Sequence, residues 1–218
     1  MKVDLVSISQ PNIDGIKTAE EFISYCARVS NPPNQLNTNT AGGLLRYCIK
    51  HNHFSIFEMV NLVFEIETTR DIARQLLRHT HKFQEFSQRY ADPTQFLHFE
   101  RREARLQDPK NRQNSIVTDD EDLKRSWEMK QDQLIHEANL AYRWALAQGI
   151  AKEQARAVLP EGNTISRLYA NGYIRTWIHY IDARTKEDTQ LEHRILASQC
   201  ADAIAPIFPM IKEVDHYG

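Results

Sequence analysis

The segment Arg78-His79-Thr80-His81-Lys82-Phe83-Gln84-Glu85-Phe86-Ser87-Gln88-Arg89-Tyr90 concentrates side chains that do chemistry. Arginine stands near each end, a histidine pair follows the first, and a carboxylate and a hydroxyl precede the second. Guanidinium forks take phosphate or carboxylate bidentately, and the remaining donors and acceptors suit a polar ring or sugar. This set fits an anionic, hydrogen-bonding ligand such as a nucleotide. It makes poor core material, because each such group costs free energy when buried without a partner.

Two further groups of polar residues point the same way. Arg70, Arg74 and Arg78 are spaced i, i+4, i+8 on one helical face, with Gln75 three residues before Arg78. Taken alone, that stripe reads as a solvated basic face; Ser87 and Arg89, sharing one face of an extended segment, favour a binding role. Farther on, Arg175, His179 and Asp182 share the helical face opposite Ile174, Trp177, Ile178 and Ile181. Arg156 before Leu159-Pro160, Arg184, and Gln190-Leu191-Glu192 extend the polar set.

Other chemistries find less support. His51-Asn52-His53 and His79-Thr80-His81 are His-x-His pairs, which project both imidazoles to one face on a strand. They raise a metal-dependent hydrolase as a rival, but no carboxylate–histidine helix motif accompanies them, and no metal is expected. There is no GxGxxG, Walker loop or GxSxG. A net charge of −2 gives no global basic field for nucleic acid or an anionic membrane, so an anion site must be built locally from arginines. No apolar run approaches the roughly 20 residues that span a bilayer, and the amino terminus lacks a signal-peptide pattern. Cys26, Cys48 and Cys200 lack CxxC spacing and read as reduced thiols of a cytoplasmic protein.

Local patterns supply the elements that must position these groups. Val3–Ile8 alternates as a strand, and Thr18 with Glu21 forms a capping box before Phe22, Ile23, Cys26 and Val29 at helical spacing. Asn31-Pro32-Pro33-Asn34 breaks that helix. A second starts near Thr40, with Leu44, Leu45, Cys48 and Ile49 facing inward. Val60, Leu62, Phe64 and Ile66 alternate with polar residues as a half-buried strand. Residues 70–78 read as helix and 83–90 as extended. Residues 91–117 show little periodicity. Thr118 with Glu121 opens the longest helix, whose expected core stripe is Leu123, Trp127, Leu134, Ala138, Ala141 and Ala145. A short strand over 164–169 precedes helices over about 172–184 and 188–204, the last stopped by Pro206 and Pro209. Few, well-separated strands among several helices predict one α+β domain with an antiparallel sheet.

Taken together, the ordered motifs resemble the flavin-dependent thymidylate synthases. That family carries Arg-His-Arg, a spacer, then Ser-x-Arg-Tyr; here Arg78-His79-Thr80 and Ser87-Gln88-Arg89-Tyr90 align with it. The similarity runs over nearly the whole chain, through Ala27-Arg28-Val29-Ser30-Asn31-Pro32, His53-Phe54-Ser55-Ile56-Phe57-Glu58, Ala155-Arg156, Arg175-Thr176-Trp177-Ile178-His179-Tyr180 and Arg184. The resemblance implies a single α+β domain over residues 1–218 of the thymidylate synthase-complementing-protein type, an antiparallel twisted sheet flanked by helices. It also implies a homotetramer binding FAD, with active sites built across subunits. The family methylates dUMP to dTMP with methylenetetrahydrofolate and NADPH as co-substrates, and needs no nucleophilic cysteine.

Carried over by position, the resemblance places Gln75, Arg78, Glu85, Phe86, Ser87, Gln88, Arg89, Arg156 and Arg184 around dUMP. It assigns Ser55, Arg78, His79, Thr80, Glu85, Tyr173, Arg175 and His179 to FAD, and catalytic roles to Arg184, which favours uracil ionisation, and His53, near flavin and folate. One departure stands inside the motif: the family's second arginine is Thr80 here, and the spacer to Ser87 is one residue shorter. Lys82 or His81 is the candidate to replace the missing cation. A dUMP- and FAD-binding homologue with lost or reduced turnover is the alternative that this departure raises.

Overall fold

The computed structural model describes residues 1–216. In chain order these form β1 (Lys2–Ile8), α1 (Ala19–Ala27), α2 (Ala41–Lys50), β2 (Asn61–Thr69), α3 (Arg70–Leu76), β3 (Lys82–Glu85), α4 (Pro93–Phe96), β4 (Arg105–Gln107), β5 (Ser115–Val117), α5 (Glu121–Ala147), α6 (Lys152–Ala155), β6 (Ile165–Tyr173), α7 (Ile174–Arg184) and α8 (Leu191–Ile204). The main sheet has four strands in the order β1-β2-β6-β3, antiparallel throughout, and β4 pairs with β5 as a separate hairpin. The α+β class read from the sequence is the observed one.

Alternation along β2 decides which face is buried. Leu62, Phe64 and Ile66 are fully buried, joined from β6 by Leu168 and Ala170. Trp177 of α7 meets Phe64 edge-on with ring centroids 4.7 Å apart. Apolar residues of α1, α2 and α8, among them Ile23, Leu45, Leu196 and Ile204, fill the same core. The opposite face is polar and internally paired: Arg167 Nε donates to Glu67 Oε1 at 2.7 Å, and the Tyr169 hydroxyl donates to Glu65 Oε2 at 2.5 Å.

Strand pairing also explains where the functional helices start. β2 and β6 pair over nine residues each, from Asn61 opposite Tyr173 to Thr69 opposite Ile165. Each strand runs into a helix without a loop, so α3 and α7 spring from opposite ends of this pair. The first helical N–H would otherwise lack a partner. Here Arg70 N donates to Thr164 O and Ile174 N to Val60 O, both at 3.0 Å. α7 then runs back about 16 Å along the sheet, so its last residue, Arg184, meets the segment that follows α3.

Several local expectations hold and others are corrected. Thr18 and Glu21 make the capping box, Glu21 N donating to Thr18 Oγ1 and Thr18 N to Glu21 Oε2. The box at Thr118 does not form. Asp120 is the cap, accepting from Leu123 N at 2.9 Å, because an ionised carboxylate next to the first turn outcompetes a hydroxyl two residues back. Only Ala138 and Ala145 of the expected α5 stripe are buried. Leu123, Trp127, Leu134 and Ala141 are exposed, since this 27-residue helix outruns the chain available to cover it. Val29 lies past the end of α1 and is exposed. The strand expected over 164–169 extends to Tyr173, and the extended segment ends at Glu85. Beyond it Ser87 O accepts from Tyr90 N and Ala91 N, closing a turn through Ser87 and Arg89. Among the described residues no helix is long and apolar enough to cross a membrane.

Candidate active site

Arg184 ends α7 half-buried, and its Nε donates to His79 Nε2 at 2.9 Å. His79 must therefore leave Nε2 unprotonated. Burial, then Arg184 and Arg78, push its pKa down to about 4. Arg184 has no carboxylate partner among the described residues. Behind His79 lie Tyr180, edge-on at 4.9 Å between centroids, and the buried imidazoles of His81 and His193. Burial, then the neighbouring His79, takes His81 to about 3; burial, then Arg184 and His79, takes His193 to about 3.

α3 and α8 bring a second polar series to this wall. Gln75 Nε2 donates to Gln190 Oε1 at 2.8 Å, and Gln190 Nε2 donates to Glu192 Oε2 at 2.9 Å. His193 Nδ1 lies 3.2 Å from Gln75 Oε1. Glu192 pairs with Arg102 at 3.2 Å and with Arg105. Burial pushes the Glu192 carboxyl up, but its own backbone N–H, the Gln190 amide and the two guanidiniums outweigh that and hold it below the usual range.

The predicted arginine stripe on α3 splits. Arg70 and Arg74 are tied to Glu161 at 3.2 and 3.1 Å, and both approach Glu85. Those two are structural, whereas Arg78, past the helix end, is exposed and has no carboxylate partner among the described residues. Glu85 is further fixed by the Ser166 hydroxyl, which donates to it at 2.7 Å. Phe86 N donates to Arg167 O at 2.8 Å, continuing the sheet edge by one residue. In the turn that follows, Ser87 is half-buried, Gln88 is buried, and Arg89 is exposed over the Tyr90 ring. Lys152 Nζ donates to Tyr90 O at 3.1 Å, which brings α6 and the neighbouring Arg156 to the end of the motif. Among the described residues Arg156 reaches only Glu153 O.

Thr80 is exposed, and the two replacements for the missing cation part ways. His81 is buried against Trp177, ring centroids 4.0 Å apart, and stays neutral, so it supplies no charge. Its place depends on Gly172, where a Cβ would sit 2.6 Å from His81 Cδ2. Lys82 is exposed and remains available.

His53, Ser55, Tyr173, Arg175 and His179 form another region. Arg175 Nη1 donates to Glu58 Oε1, and His179 packs edge-on to Phe54 with centroids 4.6 Å apart. His53 lies edge-on to Tyr47 and tilted to His51, each with ring centroids 6.2 Å apart. His53, Ser55, Tyr173 and His179 are exposed, and burial, then Arg175, lowers the His179 pKa against the opposing pull of Asp182. Open aromatic faces and polar tips around a guanidinium fit an extended anionic ring system such as a flavin nucleotide. Glu85 pairs opposite Leu168, five residues along β6 from Tyr173, so the Glu85 end of the motif stands about 17 Å from Tyr173 along the strand, whereas Lys82 pairs opposite Asn171, two residues from it.

The two His-x-His pairs do not converge. His51 and His53 lie on the surface and His79 and His81 on the inner wall, and among the described residues no group of three or more His, Cys, Asp or Glu could hold a metal ion. A cavity of about 600 Å³ lies between the β4–β5 hairpin and the start of α5; of the polar set read from sequence, only Gln190 borders it. Sequence reasoning passed over Glu58, which lay inside a quoted motif, and His193, which follows Gln190-Leu191-Glu192 directly. A buried histidine on an apolar helix face carries no sequence mark that separates it from core filling.

The antiparallel sheet with a histidine–arginine wall beside an open aromatic patch defines a class that comparison identifies. Residues 13–210 match the family described as thymidylate synthase complementing protein, and the chain belongs to it. Among its relatives is a protein of Paramecium bursaria Chlorella virus 1 named "Probable flavin-dependent thymidylate synthase", 49% identical over 97% of each chain. The flavin-dependent thymidylate synthase of a Synechocystis strain is 46% identical, again over 97% of each. A UMP/dUMP methylase of Streptomyces cacaoi, solved with 5-bromo-dUMP, superposes with a TM-score of 0.78 at 25% identity, covering 99% of this chain and 94% of that one.

Proposed function

We propose that the chain is a flavin-dependent thymidylate synthase that methylates dUMP to dTMP, taking the carbon from methylenetetrahydrofolate and reducing equivalents from NADPH through bound FAD. The observation that carries this reading is the Arg184–His79 pair: a half-buried guanidinium held on an unprotonated imidazole nitrogen and lacking a carboxylate partner among the described residues. A cation fixed in that way favours ionisation of a neighbouring uracil N–H and stabilises charge developing on its carbonyl. Gln75, Arg78, Glu85, Phe86, Ser87, Gln88, Arg89 and Arg156 complete the nucleotide site. Ser55, Arg78, His79, Thr80, Glu85, Tyr173, Arg175 and His179 hold the flavin, which supplies the redox chemistry when bound. His53 faces flavin and folate, and Lys82 stands in for the cation absent at Thr80.

The distance of the motif turn beyond Glu85 from the Tyr173 patch supports a homotetramer in which one chain's motif turn completes another's flavin patch. So do the exposed Trp127, Leu134 and Trp144 of α5, which present apolar area suited to a neighbouring copy. The reading makes this a cytoplasmic enzyme. The test is a visible spectrum before and after adding FAD, then an assay for dTMP with dUMP, methylenetetrahydrofolate and NADPH. Flavin uptake with dTMP formation is expected. Binding of dUMP without NADPH oxidation would leave a binder that has lost turnover, and a colourless protein with stoichiometric metal would sink the flavoenzyme reading.

A further inference from the structure

The series Glu192, Gln190, Gln75 and His193 can be satisfied in one polarity only. An ionised carboxylate accepts and cannot donate. Glu192 Oε2 therefore demands the amide nitrogen of Gln190, found at 2.9 Å. That turns Gln190 Oε1 toward Gln75, whose Nε2 meets it at 2.8 Å. Gln75 Oε1 is left facing His193 Nδ1 at 3.2 Å, a contact that holds only if Nδ1 carries the proton. Flipping Gln75 would set nitrogen against an N–H on one side and oxygen against oxygen on the other. The anchor is firm, because Arg102 and Arg105 both bind Glu192.

We infer that His193 is a positioning residue for the nucleotide: from inside the fold it holds, together with Gln190, the direction in which the Gln75 amide points. This rests on the placement of Gln75 at the dUMP site. His193 is fully buried, packed by Tyr180 and His79 at 5.7 and 6.2 Å between ring centroids. Among the described residues its Nε2 has no partner to turn the ring the other way. Gln75 therefore offers its second N–H and second lone pair to a ligand in a fixed order. Without His193 the amide keeps only its Gln190 contact, and a neutral hydrogen bond's worth of alignment is lost.

The FAD-loaded protein provides the test. His193→Leu should weaken dUMP binding about fivefold, the equivalent of one neutral hydrogen bond, and leave FAD affinity unchanged. His193→Asn, whose amide nitrogen sits near the Nδ1 position, should restore most of that loss. His193→Gln, with nitrogen near the Nε2 position, should not. Combined with Gln75→Leu, His193→Leu should cost nothing further. Unchanged dUMP affinity in His193→Leu, beside a clear loss in Gln75→Leu, overturns the role of His193 alone. Normal dUMP affinity in Gln75→Leu overturns the placement of Gln75, and His193's role with it. Nitrogen-15 NMR of the unsubstituted protein covers the case in which the variants fail to fold. It should find His193 protonated at Nδ1, and an Nε2–H tautomer overturns the inference.

Discussion

The wall formed by α3, α7 and α8 and the surface around Phe54–Glu58 are organised in opposite ways. On the wall the groups that would meet a ligand already have intrachain partners: Arg184 has His79, Gln75 has Gln190 and His193, and Glu192 has two arginines. On the surface His53, Ser55, Tyr173 and His179 stand exposed, and only Arg175 is tied down, by Glu58. One region is set before any ligand arrives, so binding there spends little on ordering side chains. The other gains its order from what covers it. Residues that meet a reacting ring belong in the first kind of site, and residues that grip a long cofactor work in the second.

The contrast breaks most visibly at Arg184. Arg184→Ala should keep the native circular dichroism spectrum and cut dTMP formation by about 100- to 1,000-fold, the cost of losing one preorganised charge-stabilising donor. Substantial turnover would refute its role. Arg78→Ala should weaken dUMP and FAD together by roughly tenfold, as expected for a charge-assisted contact shared by both sites. Titration showing unchanged FAD affinity would confine Arg78 to the nucleotide. Tyr173→Ala should lower FAD affinity a few-fold and leave dUMP alone, since an aromatic contact contributes about 0.5–1.5 kcal/mol.

Acid offers a sharper separation, because the wall is built from neutral imidazoles. His81 falls from 6.5 in the unfolded chain to about 3 in the fold, so the native state binds fewer protons. Its contribution to stability is full above pH 6.5 and drains as pH falls toward 3. Between pH 7 and 5, where carboxylates stay charged, this group alone removes about 2 kcal/mol. Urea titrations of His81→Phe should show a flatter pH slope over that interval; an unchanged slope would mean His81 is not buried neutral. Smallest and most local, Thr18→Ala should cost about 1 kcal/mol of stability through its lost capping box while leaving both ligand affinities intact.

Periodicity made β2, α1 and α2 legible, because one buried face imposes a repeat on the sequence. It could not show what covers a face. The α5 stripe is apolar whether α5 meets its own chain or another, and the structure leaves Trp127 and Leu134 uncovered. The turn at Ser87–Ala91 eluded an extended reading because a single carbonyl accepting from Tyr90 and Ala91 decides it, and no repeat marks such a contact. Residues carried by a motif, such as His79 and Arg184, could be singled out with it. The pairing of those two across 105 positions, and the His193 contact, follow from where α3 and α7 leave the sheet. Spacing along the chain holds no record of that. The β4–β5 hairpin was missed for a simpler reason, since three-residue strands are too short to show alternation.

The central strand pair has a consequence for how the chain reaches this state. Arg167 and Glu67, which bridge β2 and β6, are 100 positions apart, and everything between them must be made before the pair can close. During synthesis β1 can dock on one side of β2 early, while the other side waits, apolar and unpaired, for the carboxy-terminal part of the chain. Loop closure over that distance costs entropy that only late contacts offset, which makes folding slow and the waiting edge adhesive. A chain truncated before Ile165 would therefore be expected to seek helper proteins or aggregate, and nascent-chain proteolysis would follow protection of β2 appearing only once β6 has emerged.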